Sequence, residues 1–105
     1  MDQNKIQEMQ MLEQNLQNLL MQKQAFDMES SETKAALKEI ENAKDDIFKI
    51  IGQLMIKSDK QKVKEELLNK EKILDLRLST IGKQENSLME KLTSLREEIM
   101  KEGKK

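Results

Sequence analysis

Histidine and cysteine are both missing from these 105 residues. With them go the usual zinc ligands and the imidazole-activated serine and thiol nucleophiles. A chain without cysteine also has no disulfide framework, which fits a reducing compartment. Phosphate-cradling loops need glycines at close spacing, but Gly52, Gly82 and Gly103 stand twenty or more residues apart. Gly82-Lys83 ends like such a loop, yet Arg77 occupies the place five residues upstream where a glycine belongs. The carboxylate pairs Asp45-Asp46, Glu65-Glu66 and Glu97-Glu98 are adjacent in sequence. On a helix, neighbours diverge instead of converging on a substrate, so these pairs read as solvated faces. No catalytic residue, metal site or cofactor is expected, and the chain reads as a non-enzyme.

The elements that remain are carried by a composition of 37% charged residues, 2% aromatic, no Pro and three Gly. Helix formers at that charge indicate long solvated helices in a single structural unit. Disorder would suit so polar a chain, but the apolar residues are regularly spaced. No apolar run is long enough to span a bilayer, and Met1 to Gln10 lacks the apolar core of a signal peptide. A cytoplasmic protein without a membrane partner is expected. Residues 1 to 46 hold 10 acids and 5 bases, whereas residues 47 to 105 hold 10 acids and 14 bases. That asymmetry favours pairing the first half with the second. The basic half has neither clustered Arg nor stacking aromatics, so no nucleic-acid partner is expected.

Two seams of 3–4 spacing emerge. The first runs through Met9, Leu12, Leu16, Leu19, Lys23, Phe26, Ser30, Thr33, Leu37 and Ile40. The second runs through Leu67, Glu71, Leu74, Leu78, Ile81, Glu85, Leu88, Leu92, Leu95 and Ile99. Seams this long are the signature of a coiled coil. Pairing them antiparallel, so that residue numbers add to 107 or 108, sets Ile40 against Leu67 and Phe26 against Ile81. It also sets Leu19 against Leu88, Leu16 against Leu92, Leu12 against Leu95 and Met9 against Ile99. The chain must then reverse near residues 53 and 54, where Gly52-Gln53 supplies a turn. The same register predicts a Lys23–Glu85 contact inside the seam.

Between the seams the period changes. Ile47 to Ile51 and Leu54 to Ser58 are apolar, β-branched runs flanking Gly52-Gln53, and glycine at the first loop position suits a type II′ hairpin turn. Asp45-Asp46 opposes the dipole at a helix C-terminus, and Ser58-x-x-Gln61 reads as a capping box. Gly103 followed by Lys104 and Lys105 suits a helix end. The expected organisation is one unit over 1–105: a helix over about 1–46, a β-hairpin over about 47–58 and a helix over about 59–102. In this hairpin Ile47, Ile51, Leu54 and Ile56 share one face, and Phe48, Ile50 and Met55 share the other. An isolated two-stranded hairpin is marginal in water, and its own helices can cover one face at best. Hairpins from several chains closed into a β-barrel would bury both faces; folding back onto its own helices is the alternative.

Helix, a hairpin carrying Phe-Lys-Ile-Ile-Gly-Gln-Leu-Met-Ile-Lys from Phe48 to Lys57, then helix: this resembles the β-class subunit of prefoldin. The Gln-rich start (Gln3, Gln7, Gln10, Gln14, Gln17) and the Leu-rich second helix are similar to that family, and the likeness spans essentially the whole chain. Gln53 departs from it, because many relatives have a small residue or Pro there. The space between the helices holds one hairpin where the α-class has two. The resemblance implies a mainly α fold, a long antiparallel two-helix coiled coil with one hairpin that joins an oligomeric barrel. It implies a hexamer of two α-class and four β-class subunits, including other copies of this chain. It also implies an ATP-independent co-chaperone that holds unfolded polypeptides and delivers them to a group II chaperonin.

If the hairpin is the top, both termini lie together about 65 Å away, given about 1.5 Å of rise per residue. Ile6, Met9, Met11 and Leu12 then sit beside Leu95, Ile99 and Met100. Met11 and Met100 fall off the seam and should be exposed, where flexible thioethers adapt to varied apolar partners. These seven residues are the candidate client clamp, with frayed seam ends as the plain alternative. A structural coiled-coil adaptor without chaperone activity is the competing reading of the whole molecule.

Overall fold

The computed structural model describes residues 3–103. Helix α1 spans Gln3–Asn42, strand β1 Ile47–Ile51, strand β2 Leu54–Ser58 and helix α2 Lys60–Gly103. The expected helix start at Met1, and Lys104 and Lys105 beyond Gly103, lie outside the described residues. None of the twenty seam positions is exposed; each is buried or half-buried. A 3.5-residue apolar period has placed a continuous stripe on each helix, as the sequence predicted.

The chain divides into two compact units, residues 1–25 with 78–105, and residues 26–77. In the first unit, Leu19, Ile81, Leu92 and Leu95 form the buried core. Only two helical segments are described there, so each covers the other. Lys5 pairs with Glu102, and Lys23 Nζ lies 3.3 Å from Glu85 Oε2. Partner numbers fall as α1 numbers rise, which makes the segments antiparallel, in the predicted register.

The second unit holds the rest of both helices and the hairpin. Leu37, Ile40 and Leu74 are buried with Ser30 and Thr33. The Thr33 hydroxyl donates to the Glu29 carbonyl at 2.7 Å, so this polar group enters the seam already satisfied. The Arg77 guanidinium lies 5.5 Å from the centre of the Phe26 ring, a cation–π contact that screens an aromatic edge of the seam.

Two helix boundaries differ from expectation. Helix α1 ends at Asn42, not near residue 46. Ile47 is already paired with Ser58, so the chain must leave the helix earlier to reach the sheet. A tight last turn, Ala43 N–H to Ile40 O at 3.2 Å, closes it. Lys60 Nζ then donates to the Ala43 carbonyl at 3.0 Å, setting a cation at the negative end of the helix dipole. The cap of α2 is Asp59 instead of Ser58: the Asp59 carboxylate accepts from the Gln61 N–H at 3.2 Å. Ser58 is the last residue of β2, and its hydroxyl donates back to the Ile56 carbonyl. Strand pairing claims Ser58, and the next residue brings a negative charge to the positive helix end.

β1 and β2 form a two-stranded antiparallel sheet with Ile51 opposite Leu54, Ile50 opposite Met55 and Lys49 opposite Ile56. Gly52 has φ of 61°, and among the described residues no non-glycine residue has positive φ. A type I′ turn would need positive φ at Gln53 too, so these signs are those of the predicted type II′ turn.

Candidate functional site

Two surfaces have the composition of binding sites. The first is the hairpin. Phe48, Ile50, Ile51, Leu54, Met55 and Ile56 are all exposed, with Ile50 at 70% and Met55 at 69%, while Ile47 is half-buried. Strand alternation sends Ile51, Leu54 and Ile56 to one face and Phe48, Ile50 and Met55 to the other. Neither face is covered along its length, so the fold-back alternative does not describe this hairpin. Contiguous apolar exposure of this kind marks an interaction surface, and two open strand edges border it.

The hairpin is nonetheless aimed by its own unit. Lys49 Nζ lies 2.9 Å from Glu66 Oε2 on α2, and Lys57 Nζ lies 3.3 Å from Asp46 Oδ2 at the base. A groove of about 520 Å³ opens between sheet and helices, lined by Ile40, Ile47, Phe48, Ile50, Val63 and Leu67. Sequence reasoning missed these contacts, and it had treated Asp46 and Glu66 as simply solvated. Both stay more than half exposed, so the pairs orient the hairpin more than they stabilise it.

The second surface lies in the unit that contains both helix ends. Lys5 pairs with Glu98 and Glu102, and Arg96 lies 3.4 Å from Glu13. These cross-helix pairs bracket Ile6, Met9, Met11 and Leu12 on α1, and Ile99 and Met100 on α2. Met11 and Met100 are 67% and 62% exposed, as their off-seam positions predicted. Ile6, Met9, Leu12 and Ile99 are half-buried, whereas Leu95 is 7% exposed and belongs to the core. Each helix end therefore offers one exposed thioether next to half-covered seam residues. The same unit holds a groove of about 490 Å³ whose lining includes Glu8, Glu90, Glu98 and Lys91, so it is mainly acidic. Leu20, Met21, Met28, Leu68, Ile73, Leu76 and Met89 are also exposed and were not singled out. Their signal was available, since each is a large apolar residue off the seam.

The predicted Lys23–Glu85 pair is partly exposed on both sides, at 41% and 26%. A polar pair in an apolar seam specifies alignment at some cost in stability. Replacing both by Leu should stabilise the chain by about 1 kcal/mol or less after allowing for solvent screening, and so raise the thermal midpoint. Replacing Lys23 alone should lower it. A double variant that melts below the parent would contradict the alignment role.

Among the described residues no group of His, Cys, Asp and Glu could hold a metal ion, and no helix is long and apolar enough to cross a membrane. A sequence model of prefoldin subunits matches residues 3–105. Prefoldin subunit beta of Methanothrix thermoacetophila is 35% identical over 99 residues, covering 92% of this chain and 82% of that relative. Prefoldin subunit beta of Thermococcus onnurineus is 42% identical over 89 residues, covering 83% of this chain and 77% of the relative. The crystal structure of the prefoldin beta subunit from Thermococcus strain KS-1 superposes with a TM-score of 0.86 at 35% identity. It covers 94% of this chain and 89% of that one. The beta2 subunit from the same strain, 18% identical with a TM-score of 0.74, shares the fold over 83% of this chain and 95% of its own.

Proposed function

Since this chain belongs to the prefoldin subunit family, we propose that it is the β-class component of an ATP-independent holding chaperone. The family is non-enzymatic. In this reading the whole chain acts as one prefoldin-like unit in the cytoplasm. Its hairpin joins those of other copies and of an α-class subunit in a hexameric β-barrel. Unfolded polypeptides are held on the face around Met11 and Met100 and passed to a group II chaperonin.

The observation that carries the proposal is that each unit carries an exposed apolar surface and that the two differ in physical character. The hairpin offers backbone edges and branched side chains, which suit a permanent, directional interface. The helix face offers flexible methionines and half-covered seam residues, which suit weak contact with many sequences. Each apolar contact contributes about 25 cal/mol per Å² buried, so one face binds weakly and several in one assembly bind usefully.

The test is suppression of aggregation of a diluted, denatured protein by the complex assembled with an α-class partner. Replacing Met11 and Met100 together by Gln keeps helix propensity while removing the exposed thioethers. We expect unchanged assembly, a severalfold loss of protection, and no effect of added ATP on either protein. Full protection by the double variant would move the client surface elsewhere, to the hairpin platform first. Absence of protection even by the parent complex would favour the structural adaptor.

A further inference from the structure

Eight methionines occur in a chain with no Cys, His, Trp or Tyr. Thioethers are therefore its most readily oxidised groups. Their placement is not random. Of the twenty seam positions only one is methionine, the half-buried Met9. Met11, Met21, Met28, Met55, Met89 and Met100 are all exposed and all off the seam. The buried apolar residues are all Leu and Ile, which mild peroxide leaves alone, while the surface carries sulfur.

We propose that Met11 and Met100 are two reversible oxidation sites through which peroxide weakens client holding without unfolding the chain. The inference rests on the client-binding reading above and gives that surface a control. The sulfur lone pair attacks one peroxide oxygen, the O–O bond breaks and an S–O bond forms. The departing hydroxide takes the remaining proton as water. Sulfur loses two electrons and the peroxide gains them, giving one sulfoxide and one water for each peroxide consumed. The product is a polar, strongly accepting oxygen where a client needs apolar contact, and burying that oxygen unpaired opposes binding. Because both side chains lie outside the seam, helix pairing should not register the change. Met55 sits on the hairpin, which the assembly is proposed to cover, so it should react slowly in the intact complex.

The experiment treats the assembled complex with hydrogen peroxide and follows sulfoxide at each methionine by peptide mass. Circular dichroism, native mass and suppression of client aggregation are measured on the same samples. Oxidation of Met11 and Met100 should raise the concentration needed for half-maximal protection by roughly three- to tenfold. Helicity and native mass should hold, and methionine sulfoxide reductases A and B together should restore protection. In the Met11→Leu/Met100→Leu complex, protection after peroxide should equal that variant's own untreated level. A Met21→Leu/Met28→Leu/Met89→Leu complex should stay as sensitive as the parent. Undiminished protection with Met11 and Met100 fully oxidised would overturn the proposal. So would a loss that tracks Met9 oxidation with falling helicity, or Met55 oxidation with dissociation. The untreated parent complex separates these failures from failure of the holding function itself, since without protection before peroxide there is no function to switch.

Discussion

Replacing Ile50 and Ile56 by Asp should leave this chain as helical as before and yet unable to enter a larger complex. The two residues lie on opposite faces of the hairpin and are 70% and 44% exposed in the single chain. Within that chain their loss uncovers little, and a solvated carboxylate costs little. In a closed barrel each would become a buried, unpaired charge, which costs several kcal/mol even after relaxation. Multiplied over the copies in an assembly, that is enough to abolish it. Circular dichroism should show unchanged helix content, and native mass spectrometry with an α-class partner should show free subunits. A full-sized complex of the double variant would rule out a barrel that buries both faces. A single-face variant, Ile50→Asp alone, then reports which face lies deeper.

Leu92→Ala should be the most damaging single truncation in the helices, costing about 2–5 kcal/mol from lost transfer free energy and the cavity left behind. Leu92 is 2% exposed in the same unit as buried Leu19, Ile81 and Leu95. Two packed segments have little surrounding structure with which to close a gap. The control is Leu76→Ala on the same helix. Leu76 is 69% exposed, so the same chemical change should cost roughly 0.5 kcal/mol or less. Urea melts followed by circular dichroism compare the two directly. Equal effects would mean that the seam is not where the stability resides.

The contrast between those leucines shows how much the sequence determined by itself. Leu92 and Leu76 sit sixteen residues apart on one helix, and the heptad rule alone separates them. A 3.5-residue period is a one-dimensional property, and any helix that forms must turn it into a stripe. The same holds for the turn, because glycine adopts the positive φ at residue 52 without a Cβ clash. It holds too for the Lys23–Glu85 pair, since two seams and one reversal point leave a single register. The family resemblance in the hairpin likewise rested on a short local run.

What the sequence left open was decided by competition between elements. Ser58 and Asp59 can each cap a helix, and pairing of Ser58 with Ile47 across the sheet settles it in favour of Asp59. Asp45 and Asp46 can continue a helix, until the sheet pairing of Ile47 draws the chain out at Asn42. Lys49–Glu66 and the apolar groove beneath the hairpin join residues whose proximity no periodicity encodes. Leu95 and Ile99 are both seam residues and both candidates for a client face, but Leu95 is 7% exposed and belongs to the core while Ile99 stays half-buried. Periodicity names the side of a helix that is covered. How completely each residue on that side is covered depends on the neighbours that tertiary packing brings, and only the folded chain fixes those.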